Sequence, residues 1–414
     1  MHEATTAWGL DLTLDRAVFA RADTASVPPA PLSHVLVAPP GGGNIGDQAM
    51  VEAFLENTTD PVRIVVRAAE DIRIPAEHAA RVRLEEIPTL LYGDGAPHRR
   101  SIEQYRRVLA SALSLSVVGA DIMDGAYNVR ASARRADLAT LARSIGVDAR
   151  VLGFSWNGKA NRGSRLALAR AGRRGVRLLL RDPVSAARAR ADGLQNVTEV
   201  ADSVFSARSS SSTALRELLA DPPPPFAVVN ASGLVGRSMD QVTEYAAIVR
   251  WLLDRGLTVV LLPHVVRSSA DDLTACRAVW NRVDDPRVIL VDRVLAPAEV
   301  RGLCAAAQIV LTGRMHLAIQ SLWSSVPAIT LATQGKVEGL MRLFDTDALC
   351  IVPGAGLADR VIPVATDVLD HRERYRAAIA ARLAAVRALA DLNFSTLPRQ
   401  LEASSTDGAP RGRK

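Results

Sequence analysis

A short apolar run followed by an amphipathic stretch recurs along almost the whole chain, and it recurs in two series separated by one interruption. The first series contains HVLVAPP (34–40), VRIVVR (62–67), LSVVGADIMDG (115–125), ARVLGFS (149–155) and VRLLLRD (176–182), each followed by a helical pattern. PTLLYGD (88–94) is a further candidate strand in this series. From 206 to 225 the pattern stops, and SARSSSST and DPPPP bracket one short helical segment. The second series then runs through FAVVNAS (226–232), LTVVLLPH (257–264), RVILVDR (287–293), QIVLTG (308–313) and PAITLAT (327–333), and closes with an Ala/Arg-rich helix near 367–391. Short buried strands alternating with amphipathic helices specify a parallel sheet with helices on both faces. The expected architecture is therefore α/β: two Rossmann-like domains facing each other across a crevice. Residues 34–205 form the first and 226–395 the second, including its closing helix. Residues 206–225 read as a linker, 1–33 as a loose N-terminal extension, and 396–414 as a disordered tail.

Composition excludes several classes. No segment reaches the roughly 18–20 apolar residues of a spanning helix. The start, MHEATTAWGLDLTLDRAVFARAD, lacks the basic region and apolar block of a secretory signal. Cys276, Cys304 and Cys350 are far apart and form neither a CxxC pair nor a zinc spacing, so they read as reduced thiols in a cytoplasmic protein. Net charge is +6, but the basic residues are interspersed with acids and aromatics are only 4%, which argues against nucleic acid as a partner. Small anionic substrates remain compatible with this charge.

In a doubly wound sheet, ligands bind beyond the carboxyl ends of the strands. At the first strand end, GGGNIGDQAM places Gly41, Gly43 and Gly46 before a helix, with Asn44 and Asp47 able to cap it or touch a ligand. The second strand ends in Arg67 rather than the acid that holds a ribose, which weakens a dinucleotide reading. GFSWNG brings Trp156 to a strand end, either to stack on a sugar ring or to fill a core. Arg181, in LLLRDPVS, sits beside a helix start, as an anion-binding arginine would; the alternative is an Arg181–Asp182 pair or cap. Asp202, in ADSVF, is either a base or a hinge contact, and His264, in LLPHV, either lines the crevice or is structural. LTGRMHLAIQSLWSSVPAITLATQGKVEGL carries the densest chemistry. Arg314 and His316 share a helix start, and the next strand end supplies Lys336, one of only three lysines. Two cations and an imidazole there can hold an anion and transfer a proton.

GGGNIGDQAM, LLLRDPVSAARARADG with ADSVF, and the RMH…QGK segment, in this order and spacing, resemble the polysaccharide pyruvyl transferase family over about 34–350. The resemblance implies a GT-B-like fold and transfer of the enolpyruvyl unit of phosphoenolpyruvate (PEP) to sugar hydroxyls as a ketal. It implies that Arg181 and Arg314, with Lys336, hold the PEP anion, that His316 is the general acid, and that Asn44, Gly46 and Asp47 line the crevice. Gln48 stands where many relatives carry an acid, and Met315 replaces their leucine. Asp202, Asp124 and Asp47 are candidates for the base. Neither a cofactor nor a metal is expected. The acceptor is a sugar or glycan, free or lipid-linked; a lipid-linked one would bring the chain to the inner membrane face. The rivals are a GT-B glycosyltransferase using a nucleotide sugar, an NADP-dependent oxidoreductase resting on the glycine motif, and a non-catalytic binding protein.

Overall fold

The computed structural model describes residues 2–24, 31–237, 239–267, 271–332 and 336–399, with side chains from Leu12 onward except at 237. Seven parallel strands build the first sheet: β1 (Ser33–Val37), β2 (Val62–Val66), β3 (Val82–Glu86), β4 (Ala112–Ala120), β5 (Asp148–Phe154), β6 (Arg177–Leu180) and β7 (Val197–Glu199). Their order is β3-β2-β1-β4-β5-β6-β7, so the winding reverses between β1 and β4. The second sheet has β8 (Phe226–Asn230), β9 (Thr258–Leu261), β10 (Val288–Leu290), β11 (Ile309–Thr312), β12 (Ala328–Leu331) and β13 (Cys350–Ile351), ordered β10-β9-β8-β11-β12-β13. It reverses between β8 and β11. Each reversal opens a crevice at the strand carboxyl ends.

Three segments depart from the sequence expectation. Residues 2–21, expected as a loose extension, form helix α1 (His2–Arg21). Leu12 and Phe19 are buried against the first domain, and buried Asp15 meets His98 Nε2 at 3.1 Å. Only scattered apolar positions are needed to dock a helix on a domain already formed, so no strong periodicity announces it. The third strand is β3 rather than 88–94, which is turn. As an edge strand with exposed Arg83 and Glu86, β3 lacks the apolar run of a central one. The segment at 206–225 is packed, not free. Its helix buries Ala214, and Arg301 donates to the Ser209 carbonyl at 2.6 Å. Of the segment expected as a disordered tail, 400–414 lie outside the described residues.

Helices α2 (Ile45–Glu56), α3 (Gly95–Val108), α4 (Val129–Ser144), α5 (Arg162–Arg173) and α6 (Pro183–Ala191) cover the first sheet. After α7 (Thr213–Leu218), the second is covered by α8 (Gln241–Asp254), α9 (Asp272–Val283), α10 (Pro297–Ala306), α11 (Met315–Leu322) and α12 (Val337–Leu343). One apolar cluster runs through α2 and Phe205 of the first domain into the core of the second, so the domains share a core behind the crevice.

The closing helical region is two helices, α13 (Leu357–Asp370) and α14 (Arg372–Asp391). The chain after α14 returns to the first domain. There, buried Asn393 accepts from Gly153 N at 3.0 Å and donates to the Ala201 carbonyl at 2.9 Å. Arg150, fully buried on β5, donates to the Thr396 carbonyl at 3.0 Å. Replacing Asn393 by Ala leaves the buried Gly153 N–H unsatisfied. We expect Asn393→Ala to lower unfolding free energy by about 2 kcal/mol. A urea titration showing no shift would mean this staple carries no stability.

Candidate functional site

The cleft between the strand ends has a volume of about 400 Å³ and is lined from both domains. Arg181 leaves β6 and is almost fully buried. Its Nε donates to Ser155 Oγ at 2.8 Å, and Nη1 donates to Asp202 Oδ2 at 2.8 Å. From the other domain, His316 in the first turn of α11 brings Nε2 to 3.4 Å from Arg181 Nη1 and 3.5 Å from Asp202 Oδ2. Burial by itself would raise the Asp202 carboxyl, but His316 and Arg181 hold it well below the usual carboxylate range. Asp202 Oδ1 accepts from Val204 N at 3.0 Å. Expected as a catalytic group or hinge contact, Asp202 does not line the cleft. It holds an arginine of one domain and a histidine of the other from behind the cleft wall.

The glycine-rich loop serves contact between the domains. Val266 N donates to the Gly43 carbonyl at 2.7 Å, and Ile45 N donates to the His264 carbonyl at 3.1 Å. Asn44 and Val265 form an antiparallel bridge. Gly43 has φ +78°, and a Cβ there would lie 2.2 Å from the Val266 carbonyl oxygen. A Cβ on Gly46 would lie 2.4 Å from His316 Nδ1, so this glycine makes room for the imidazole. The Asn44 side chain caps α2, accepting from Gly46 N at 3.0 Å. Asp47 pairs with Arg267 at 2.9 Å, and burial, partly offset by Arg267, raises its carboxyl. With these amides committed to capping and to the opposite domain, the loop is not arranged as a dinucleotide phosphate cradle.

Lys336 crosses the cleft to the segment after β4. Its Nζ lies 3.1 Å from the Asp121 carbonyl oxygen, 3.4 Å from Asp121 Oδ2 and 3.8 Å from Asp124 Oδ2. It also sits 5.1 Å from the ring centroid of Tyr127, whose hydroxyl donates to Asp121 Oδ2 at 2.9 Å. Burial works against the charged Asp121, yet Lys336 and Arg181 bring its carboxyl down to about 2. Burial pushes Asp124 the other way, only partly countered by Lys336.

Arg314 lines the cleft, with its guanidinium anchored on Asp272: Nε lies 3.1 Å from each carboxylate oxygen and Nη2 is 2.6 Å from Oδ1. The buried Asp272 also accepts from Asn230 Nδ2, Gly233 N and Val265 N. It thereby ties the ends of β8, β9 and β11 together. His264 lines the cleft with both ring nitrogens unpartnered; burial, reinforced by His316 and Arg314, holds its imidazole well below the usual range. Trp156 is the clear correction. Its indole is fully buried in the first domain, donating Nε1 to Asp192 at 2.7 Å, and it does not reach the cleft. It meets the Phe154 ring edge-on, with centroids 6.4 Å apart and the planes at 84°.

Sequence reasoning missed Asp121, Tyr127, Arg135, Arg267 and Asp272. Asp121 had a usable signal, an acid directly after an apolar strand. Arg135, Arg267 and Asp272 act through partners far away in sequence. Among the described residues no cluster of His, Cys, Asp or Glu is arranged for a metal ion, and no helix is long and apolar enough to cross a membrane.

Two facing parallel-sheet domains with a shared cleft define the GT-B class of fold, and solved structures agree. The UDP-GlcNAc 2-epimerase from Neisseria meningitidis bound to UDP-GlcNAc superposes with a TM-score of 0.53 at 8% identity, covering 88% of this chain and 98% of that one. The UDP-GlcNAc 2-epimerase from Methanocaldococcus jannaschii gives 0.52 at 10% identity, with 82% and 93% covered. Phytolacca americana UGT2, complexed with UDP-2fluoro-glucose and pterostilbene, gives 0.51 at 13% identity, with 86% and 95% covered. These likenesses concern the fold. No curated protein matches the chain. The polysaccharide pyruvyl transferase family matches residues 44–335, and the chain belongs to that family.

Asp121 gives a pH test. Its folded carboxyl titrates at about 2, below the unfolded value of about 3.9. Its contribution to stability is present above pH ~4 and is lost as pH falls towards 2. Asp121→Asn should therefore flatten the fall in unfolding free energy between pH 4 and 2. An unchanged slope would show that Lys336 does not stabilise the carboxylate.

Proposed function

We propose that this enzyme transfers the pyruvyl group of PEP to two hydroxyls of a sugar in a polysaccharide or glycolipid precursor. The observation that carries this reading is the meeting of Arg181 and His316, from opposite domains, on one buried carboxylate at the edge of a cleft. Arg181 and Lys336 hold the phosphate and carboxylate of PEP. Arg314, anchored on Asp272, fixes the start of α11 and adds positive charge. His316, held by Asp202, donates a proton to the PEP methylene, which becomes a methyl group. The adjacent carbon gains oxocarbenium character, and one sugar hydroxyl adds to it. The carbon–oxygen bond to phosphate breaks, and a second hydroxyl closes the ketal. Of the two hydroxyl protons, one restores the acid and the other leaves with inorganic phosphate.

PEP titrated calorimetrically into the purified protein tests the donor. Saturable binding to the wild type should fall at least about a hundredfold in Arg181→Ala, because two charge-assisted contacts are lost. His316→Ala should keep PEP affinity and lose turnover, and wild-type turnover in that variant would remove the acid assignment. Gly46→Ala should mimic it, since the new methyl displaces the imidazole. Its turnover should drop at least about tenfold with PEP affinity retained. Failure of PEP to bind the wild type would overturn the donor assignment.

A further inference from the structure

Five cationic side chains line the cleft: Arg135, Arg181, Arg267, Arg314 and Lys336. Four are neutralised, by Asp202, Asp47, Asp272 and Asp121. Arg135 has no carboxylate within ion-pair distance among the described residues, although it is only 1% exposed. Its Nε has no hydrogen-bond partner, and Nη2 donates to the Tyr92 hydroxyl at 3.0 Å. Its guanidinium also lies 5.8 Å from the Tyr92 ring centroid, a cation–π contact that offsets part of the cost of burial but supplies no counter-charge, which an anion in the cleft would provide.

The surroundings suit a phosphate. Arg135 lies on α4, whose cap Asn128 and first-turn Ala131 line the same cleft, so the positive end of the helix faces it. The Tyr92 oxygen accepts from Arg135, which leaves its own proton for an anion. Tyr127 lines the same cleft and is exposed. Of the donor cations, Lys336 reaches this wall, 5.1 Å from the Tyr127 ring centroid, and Arg181 leaves a different strand end. Tyr92 follows β3, at one edge, whereas Arg181 leaves β6, with β2, β1, β4 and β5 between them.

We propose that Arg135 marks a second anion subsite, which takes the phosphate groups of a glycosyl diphosphate acceptor. This rests on the pyruvyl transfer reading, because the donor then occupies the Arg181 end. The acceptor sugar spans the middle of the cleft, and its diphosphate bond stays intact. A neutral glycan would leave Arg135 uncompensated.

The test uses inorganic pyrophosphate as the probe, titrated into protein saturated with PEP. Wild type should bind it, and Arg135→Gln should weaken that binding at least about tenfold while PEP affinity changes less than twofold. Arg135→Lys, which keeps the charge in this buried place, should retain part of the affinity and guards against misfolding of the glutamine variant. UDP-N-acetylglucosamine and a polyprenyl-diphosphate-linked N-acetylglucosamine in micelles then separate the soluble source of the diphosphate from the lipid-linked one. The proposal is overturned if pyrophosphate does not bind, if it competes with PEP, if Arg135→Gln leaves its affinity unchanged, or if glucuronate binds in preference. Should PEP fail to bind the wild type, the donor assignment falls, and the pyrophosphate comparison still reads Arg135 by itself.

Discussion

The carboxylate of Asp202 is the constraint around which the cleft is assembled. Arg181 is nearly as inaccessible as Asp202 itself. A guanidinium so placed needs a close counter-ion, because removing one member of a buried pair leaves an uncompensated charge worth about 3–5 kcal/mol. His316 then approaches the same oxygen from the other domain. Cleft geometry and domain placement are therefore one property. The side chains that define the candidate chemistry are in place only when the second domain sits where it does on the first.

The same coupling explains the glycine-rich loop. Its sequence reads as a phosphate cradle, yet Gly43 admits a carbonyl from the opposite domain and Gly46 admits an imidazole. In both cases a hydrogen atom in place of a methyl lets the two domains touch. Arg267 reaches back to the Gly42 carbonyl and to Asp47, adding a polar seam beside the apolar core that the domains share.

Much of this architecture is legible in the sequence because strand and helix periodicities are local. Strands such as β6, β9 and β11 are short, mainly apolar runs, and their carboxyl ends lead to Arg181, His264, Arg314 and His316. The edge strand β3 and helix α1 were hidden because each is buried on one face only. Trp156 was misplaced because a residue at a strand end can turn towards the cleft or back into its own domain, and pairing with Asp192 decides which. Asp272 was invisible for another reason. It heads a helix like many capping acids, and only the fold brings Asn230, Val265 and Arg314 to it. Arg135 resembled the other arginines of a charged helix until burial set it apart.

The return of the chain at Asn393 bears on how the protein is made. Gly153 N donates to Asn393, the Ala201 carbonyl accepts from it, and Arg150 finds its carbonyl partner at Thr396, all in residues that follow α14. During vectorial synthesis the first domain emerges from the ribosome long before those residues do. Its sheet can form early, with Arg150 paired to Asp148 on the same strand, but the carbonyl partner of Arg150 arrives only after the last helix has been translated. The finished first domain is thus a product of the whole chain, and a ribosome stalled within the second would display it with one seam still open.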